Sequence, residues 1–242
     1  MAGSTPRQLI TDVRPEAHEH VEDGEVLTML VWRFAQPVLT VSSAPLGGGL
    51  GLRRWVVNAQ VPYSFARLDP EAHLEELASH AGLVGDGVGM LTAVDLRRAI
   101  GASDDGARAE VSVGLAFPTW AAAPDEGSYI LLAEADRVGP GAHGGAVPGS
   151  IPGTVNIVGV VPERLSPAAL VNAVLTVTEA KAQALWEAGV AATGTASDAV
   201  CVACPAEGPE QPFGGPRSLW GARLARAVHR AVLDACRPGT AP

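Results

Sequence analysis

Residues 154–188 read TVNIVGVVPERLSPAALVNAVLTVTEAKAQALWEA, and the change of period inside this stretch decides the fold. Thr154 to Val161 is a short β-branched apolar run of strand length; Ser166 and Pro167 then open a long helix that runs to Ala188. A further apolar run ending at Cys204 follows, so strand, helix and strand alternate. On a 3.6-residue period Leu170, Val174, Val177, Ala184 and Ala188 form one apolar stripe, and Lys181 falls at its centre. Lys181 is the sole lysine beside sixteen arginines, and lysine is the cation whose pKa moves readily on burial. An ammonium in that position must find a partner, shed its proton or reach a cavity. The alternative is a side chain that snorkels past the stripe to solvent, and both readings stand at this level.

Working outward, Val26 to Phe34, Pro37 to Val41, Trp55 to Val61 and Ala109 to Phe117 read as strands, with Gly47, Gly48 and Gly49 punctuating the second and third. Asp69 and Pro70 predict a helix start with Asp at the cap, and Leu74, Leu77, Ala78 and Ala81 supply its buried face up to Gly82. Gly87 to Val94 is a turn and a short apolar run. A closing amphipathic helix carries Leu224, Val228, Ala231 and Ala235 on one side. The expected architecture is α/β, with α+β open as a variant: one domain over residues 26–237 with a mixed β-sheet flanked by helices. Residues 1–25 are expected to be peripheral or poorly ordered, and 238–242 a tail. A faint repeat runs through this order. Asn58 in a strand, Val61-Pro62, Asp69-Pro70 and Leu91 to Val94 match Asn156 in a strand, Val161-Pro162, Ser166-Pro167 and Ala199 to Val202. Duplicated strand-turn-helix-strand units explain the match, and so does chance pairing of common turn residues.

Composition narrows the function. Acidic residues number 26 against 17 basic ones and the pI is near 5.1, which argues against nucleic acid or an anionic membrane as partner. The longest uncharged stretch, Val138 to Pro162, is broken by Gly and Pro and reads as a loop leading into a strand. Arg7, Asp12, Arg14 and Glu16 interrupt any apolar leader, so a cytoplasmic protein is expected. Cys201 and Cys204 lack a second pair for zinc and sit in a strand-like run rather than at a helix start, so neither a metal nor a redox role is expected. His18, Glu19 and His20 are read as a solvated segment near a frayed terminus.

Several polar residues stand where chemistry could sit. Asn58 and Asn156 lie within apolar strands and must satisfy an amide near the core or point into a cleft. Ser42 and Ser43 precede the triple glycine and are either turn formers or close to a ligand. Thr193 to Asp198 is the densest polar loop in the chain.

These segments together resemble the adenosylcobinamide amidohydrolase (CbiZ) family. The resemblance runs from about Leu39 to Ala235. It rests on Val41-Ser42-Ser43-Ala44 with Gly47 to Gly49, Asn58 with Tyr63, Gly89-Met90-Leu91-Thr92-Ala93, Gly153-Thr154-Val155-Asn156-Ile157, Thr178-Glu179-Ala180-Lys181, Gly194 to Asp198, and Gly214 to Gly221 with the final helix. Ser197 stands where the family usually has Thr, keeping the hydroxyl, and Val113 to Trp120 follows the family pattern only loosely, which bears on substrate range more than on reaction type.

The resemblance implies hydrolysis of one amide bond: aminopropanol is cleaved from adenosylcobinamide, leaving adenosylcobyric acid, a step of corrinoid salvage for cobalamin synthesis. It implies a small-molecule corrinoid as partner, with cobalt only as part of that substrate and no added cofactor or protein-bound metal. An amidase needs a nucleophile, an oxyanion stabiliser and a proton for the leaving amine. The candidate catalytic residues are Lys181, Asp198, Glu179, Thr195 and Ser197. Lys181 would be base to the hydroxyl of Thr195 or Ser197, or a fixed cation for the oxyanion; Asp198 would orient the lysine or activate water. Glu179 turns about 200° from Lys181 on a helix and is otherwise a solvated carboxylate. Candidate substrate contacts are Ser42, Ser43, Asn58, Thr92, Thr154, Asn156 and Thr178. Trp120, Trp186 or Trp220 could stack on the macrocycle or pack in the core. The alternative readings are a corrinoid-binding chaperone or regulator without hydrolase activity, and an unrelated small-molecule binding domain. Strand order and oligomeric state are not encoded in these patterns.

Overall fold

The computed structural model describes residue 10, residues 12–123 and residues 153–237. Eight strands and three helices follow one another as β1 (Glu16–Glu22), β2 (Glu25–Ser42), β3 (Gly49–Gln60), α1 (Pro70–His80), β4 (Gly87–Thr92), β5 (Ile100–Asp104), β6 (Ala107–Val113), β7 (Val155–Val160), α2 (Pro167–Glu187), β8 (Ala199–Pro205) and α3 (Leu219–Ala235). All the strands join one mixed sheet in the order β4-β3-β2-β8-β7-β6-β5, with β1 added beside β2. The expected architecture of a mixed sheet flanked by helices is therefore the observed one. The first part of the uncharged stretch, up to residue 152, lies outside the described residues, as do 238–242.

The repeat is realised as two β-β-β-α-β units. In each, two antiparallel strand pairings are followed by a helical crossover to a parallel strand: β1, β2, β3, α1, β4 and then β5, β6, β7, α2, β8. Both units open with an Asp-Gly turn in the left-handed region, Asp23-Gly24 (φ 49° and 81°) and Asp105-Gly106 (φ 38° and 94°). That pair is the favoured two-residue connection between twisted antiparallel strands. Both crossover strands end alike, Val61 N donating to Thr92 O (2.8 Å) and Val161 N to Ala203 O (3.0 Å). Both helices end alike too. Leu83 N reaches back to Ala78 O and Val190 N to Leu185 O, each 2.9 Å, past Gly82 and Gly189 at φ +66° and +81°. These anchors make Leu74 the counterpart of Lys181, and Gly87 that of Asp198. They also correct the sequence alignment: Asn58 is the counterpart of Val158, and Asn156 that of Val56, so the two asparagines are out of step by two residues.

Three apolar clusters fill the layers. α1 covers β2–β4 through Leu74, Leu77 and Ala78 on Val31, Val57 and Ala59. α2 and α3 cover β5–β8. The concave inner face carries Leu30, Trp32, Val56, Met90, Val158 and Cys201. The sheet curls until groups three and four strands apart meet: Asn156 Nδ2 donates to Asn58 Oδ1 (2.8 Å) and to Leu91 O (2.9 Å), and Asn58 Nδ2 donates to Ser112 Oγ (3.0 Å). The two units are thus joined by a backbone ladder on one side, β2 to β8, and by buried amides on the other. The asymmetry follows from strand length, because β2 runs 18 residues and β6 only 7.

Several local expectations need correction. The two strands read at 26–34 and 37–41 are one strand that continues through Pro37 by way of a bulge between Arg33 and Val38. Residues 114–117 leave the sheet at Gly114, so β6 is shorter than the run 109–117. The His18-Glu19-His20 stretch is not frayed: it lies in edge strand β1, where His18 and His20 share the half-buried side. Asp69 makes no side-chain cap, because Arg67 engages both its carboxylate oxygens (3.0 and 2.8 Å). Ser166, by contrast, caps α2 through Oγ to Ala169 N (3.0 Å).

Candidate active site

Lys181 is buried, 6% exposed, on the stripe of α2 that faces the sheet. Its ammonium is paired with Asp198 Oδ2, and the side chains are 8% and 11% exposed, so the pair is enclosed rather than a surface contact. Asp198 ends the polar turn immediately before β8, which is why the helix and the turn meet. Its carboxylate takes three further donors: Thr195 N (3.1 Å) on Oδ2, and Val155 N (2.8 Å) and Thr195 Oγ1 (2.5 Å) on Oδ1. Four donors match the acceptor capacity of an ionised carboxylate. Asp198 thereby fixes a cation and a hydroxyl side by side on one anchor.

Gly194 makes the approach possible, since a Cβ there would fall on both the Asp198 carboxylate and the Lys181 ammonium. This requirement is invisible in sequence, where Gly194 reads only as part of a polar loop. Ser197 is exposed and shares a 2.7 Å hydrogen bond with Thr154 Oγ1, tying the turn to the start of β7. A strap, residues 114–123, crosses the same turn: Thr119 N donates to Gly194 O (2.8 Å), Thr193 N to Thr119 O (3.1 Å), and Ala121 N to Thr193 Oγ1 (2.9 Å). It carries Trp120 to within 6.3 Å, ring centroid to centroid, of Trp186 on α2. Trp220 instead is buried and donates its Nε1–H to Glu163 (2.9 Å).

The other candidates divide into supports and outward-facing groups. Asn156 stands behind the turn, its Oδ1 accepting Ala199 N (3.2 Å), and its amide is spent with Asn58 in the core. Ser42 Oγ donates to Val200 O (2.9 Å) and Ser43 Oγ accepts Val200 N (3.1 Å), so both serines clamp the start of β8. Thr92 is buried and caps the following turn through Val94 N (3.1 Å). Thr178 and Glu179 are exposed on α2; Thr178 Oγ1 bonds back to Val174 O (2.9 Å), and Glu179 points away from the Lys181 face. The structure thus brings together Lys181, Asp198, Thr195, Ser197 and Thr154, and leaves Glu179 outside.

Cys201 and Cys204 point to opposite faces of β8, one into the inner cluster and one under α2. Burial pushes their thiols up to about 12 and about 11, as expected for inert core cysteines. Among the described residues no group of three or more His, Cys, Asp or Glu is placed to hold a metal ion.

A family model described as adenosylcobinamide amidohydrolase matches residues 13–241, nearly the whole chain and every residue of this site. The chain belongs to the adenosylcobinamide amidohydrolase family. It is 31% identical over 199 residues to an adenosylcobinamide amidohydrolase of Methanosarcina mazei, covering 78% of this chain and 86% of that protein. It is also 43% identical over 81 residues to an adenosylcobinamide amidohydrolase of Halobacterium salinarum, covering 34% and 35% of the two chains. This family member thus holds an enclosed ammonium, a carboxylate with four donors and a threonine hydroxyl together at one turn. Among the described residues no helix is long and apolar enough to cross a membrane.

Proposed function

We propose that this protein hydrolyses the aminopropanol amide of adenosylcobinamide, releasing aminopropanol and leaving adenosylcobyric acid for cobalamin synthesis. The observation that carries the reading is the enclosed Lys181–Asp198–Thr195 constellation in a member of this family. Thr195 Oγ1 already directs its proton at Asp198 and serves as the nucleophile. As its oxygen attacks the amide carbon, the proton passes to Asp198 and negative charge appears on the carbonyl oxygen. Asp198 becomes neutral as the oxyanion forms, so the Lys181 ammonium exchanges one anionic partner for another and its charge is matched throughout. The C–N bond then breaks and the amine leaves with the proton from Asp198. Water attacks the acyl-threonine, gives its proton to Asp198, and the ester C–O bond breaks as that proton returns to Thr195.

Ser197 and Thr154 hold the turn, and the buried asparagines hold the strands behind it. These residues complete an acyl transfer without an added cofactor; cobalt belongs to the substrate. The partner is a small corrinoid rather than nucleic acid or membrane, in keeping with a net charge of −9. A cytoplasmic setting accompanies this reading, and the three free cysteines suit a reducing compartment.

The test is to incubate purified protein with adenosylcobinamide and quantify free aminopropanol. Release is expected from the wild type, with losses on the order of a hundredfold or more in Asp198→Asn, Lys181→Met and Thr195→Ala. No release from the wild type removes the activity; undiminished release from all three variants removes this site.

A further inference from the structure

Two large aromatic side chains, one on the strap and one on α2, are exposed apart from their contact with each other. Trp120 is 44% and Trp186 67% exposed, yet they come from different elements and lie with their rings tilted at 54°. Trp186 sits five residues beyond Lys181 on α2, a rise of about 7.5 Å along the helix axis. Trp120 is carried by the strap that Gly194 and Thr193 fasten to the catalytic turn. Both rings are therefore positioned by the elements that position the chemistry. From this juxtaposition we propose that Trp120 and Trp186 form the specificity wall of the site, a wedge that receives the flat apolar face of the substrate's macrocycle. The proposal rests on the amidase reading for the identity of that macrocycle.

Size selects the occupant. At 44% and 67% exposure the two tryptophans have about 65–110 and about 100–170 Å² left to bury, together about a quarter to a third of the ~800 Å² per partner that a stable protein interface requires. That area suits one face of a tetrapyrrole-sized ring, and two tilted aromatic planes contact a flat ligand at low cost in side-chain entropy. The leaving aminopropanol is small and polar and has no use for such a wall.

The experiment compares Trp120→Ala, Trp186→Ala, the double variant and the double Phe variant with wild type. Readouts are aminopropanol release from adenosylcobinamide and retention of the same corrinoid in equilibrium dialysis, the latter with each variant placed in the Lys181→Met background. Unchanged circular dichroism and Tm are expected, because both rings are on the surface. The double Ala variant should raise KM about tenfold or more with kcat within about threefold of wild type, and the Phe pair should recover most of the loss. Without the Trp substitutions adenosylcobinamide should be retained and aminopropanol alone should not. An active wild type whose double Ala variant keeps its KM overturns the wall and spares the amidase. A wild type that releases nothing but whose corrinoid retention is lost in the double Ala variant spares the wall and overturns the amidase. Neither release nor retention removes both. A variant that changes sedimentation with protein concentration but not corrinoid binding makes the pair a self-association surface and overturns the proposal.

Discussion

In the first unit Leu74 and Gly87 occupy the positions that Lys181 and Asp198 hold in the second, on matching helix stripes and strand starts. Leu74 is fully buried, and the indole of Trp55 lies where a Cβ on Gly87 would have to go. Trp55 closes this arrangement by donating Nε1–H to Gly85 O (2.9 Å). The connection between helix and strand also differs. Gly82 to Gly87 takes five steps and Gly189 to Asp198 takes nine, and the additional residues are the polar turn that carries Thr195. One backbone plan therefore serves as an apolar crossover in one copy and holds an enclosed ion pair in the other. What separates them is a lengthened turn and two side chains, not a new fold.

The comparison breaks most clearly at the charged pair. Lys181→Met or Asp198→Asn should lower release by about a thousandfold, and each should also destabilise the fold by about 3 kcal/mol, because either leaves a buried group without its counter-charge. Denaturant midpoints and a double-mutant cycle check this: the double variant should be less destabilised than the sum of the singles. Gly194→Ala should cost about a hundredfold in activity by pushing the ammonium and carboxylate apart, read as kcat on folded protein. Asn156→Ala removes the amide shared between the units and leaves Ala199 N and Leu91 O unpartnered. A loss of about 2 kcal/mol is expected, measured by urea unfolding. Gly87→Ala is the control in the inert copy: it should cost about 1–3 kcal/mol through the Trp55 indole yet leave the activity of folded protein unchanged. A fall in kcat there would show that the first crossover is not inert.

The smallest effect concerns β1. Burial lowers the pKa of His20 below its ordinary 6.5, against the opposing pull of Glu22 and with His73 adding to it. The unfolded chain then binds the proton more readily, so this contribution to stability is present above pH 6.5 and lost as pH falls below it. His20→Asn should flatten that part of the pH dependence, seen as a smaller difference in urea midpoint between pH 7.5 and 5.5.

How much of this was legible in the sequence follows from the range of each interaction. The three helices and the crossover strands could be read because caps, stripes and apolar runs are local. The hairpins β1–β2 and β5–β6 were missed although each carries an Asp-Gly pair, because Glu, His, Arg and Ser on their exposed sides obscure the alternation. Pro37 looked like a break, whereas the bulge absorbs it. Lys181 could be singled out because it is unique and centred on an apolar stripe; its pairing with Asp198 rests on the contact between α2 and a turn 17 residues away. The need for Gly194 and the strap from Thr119 involve groups with no pattern of their own. Glu179 carried a motif-borne expectation that its helix face does not serve.

The two joins between the units have different tolerances. A main-chain ladder accepts almost any sequence, while the opposite join depends on two carboxamides, a serine and a carbonyl. One of those carboxamides also holds the amide that follows Asp198. A displacement along that join therefore reaches the strand start beside the carboxylate through a single side chain.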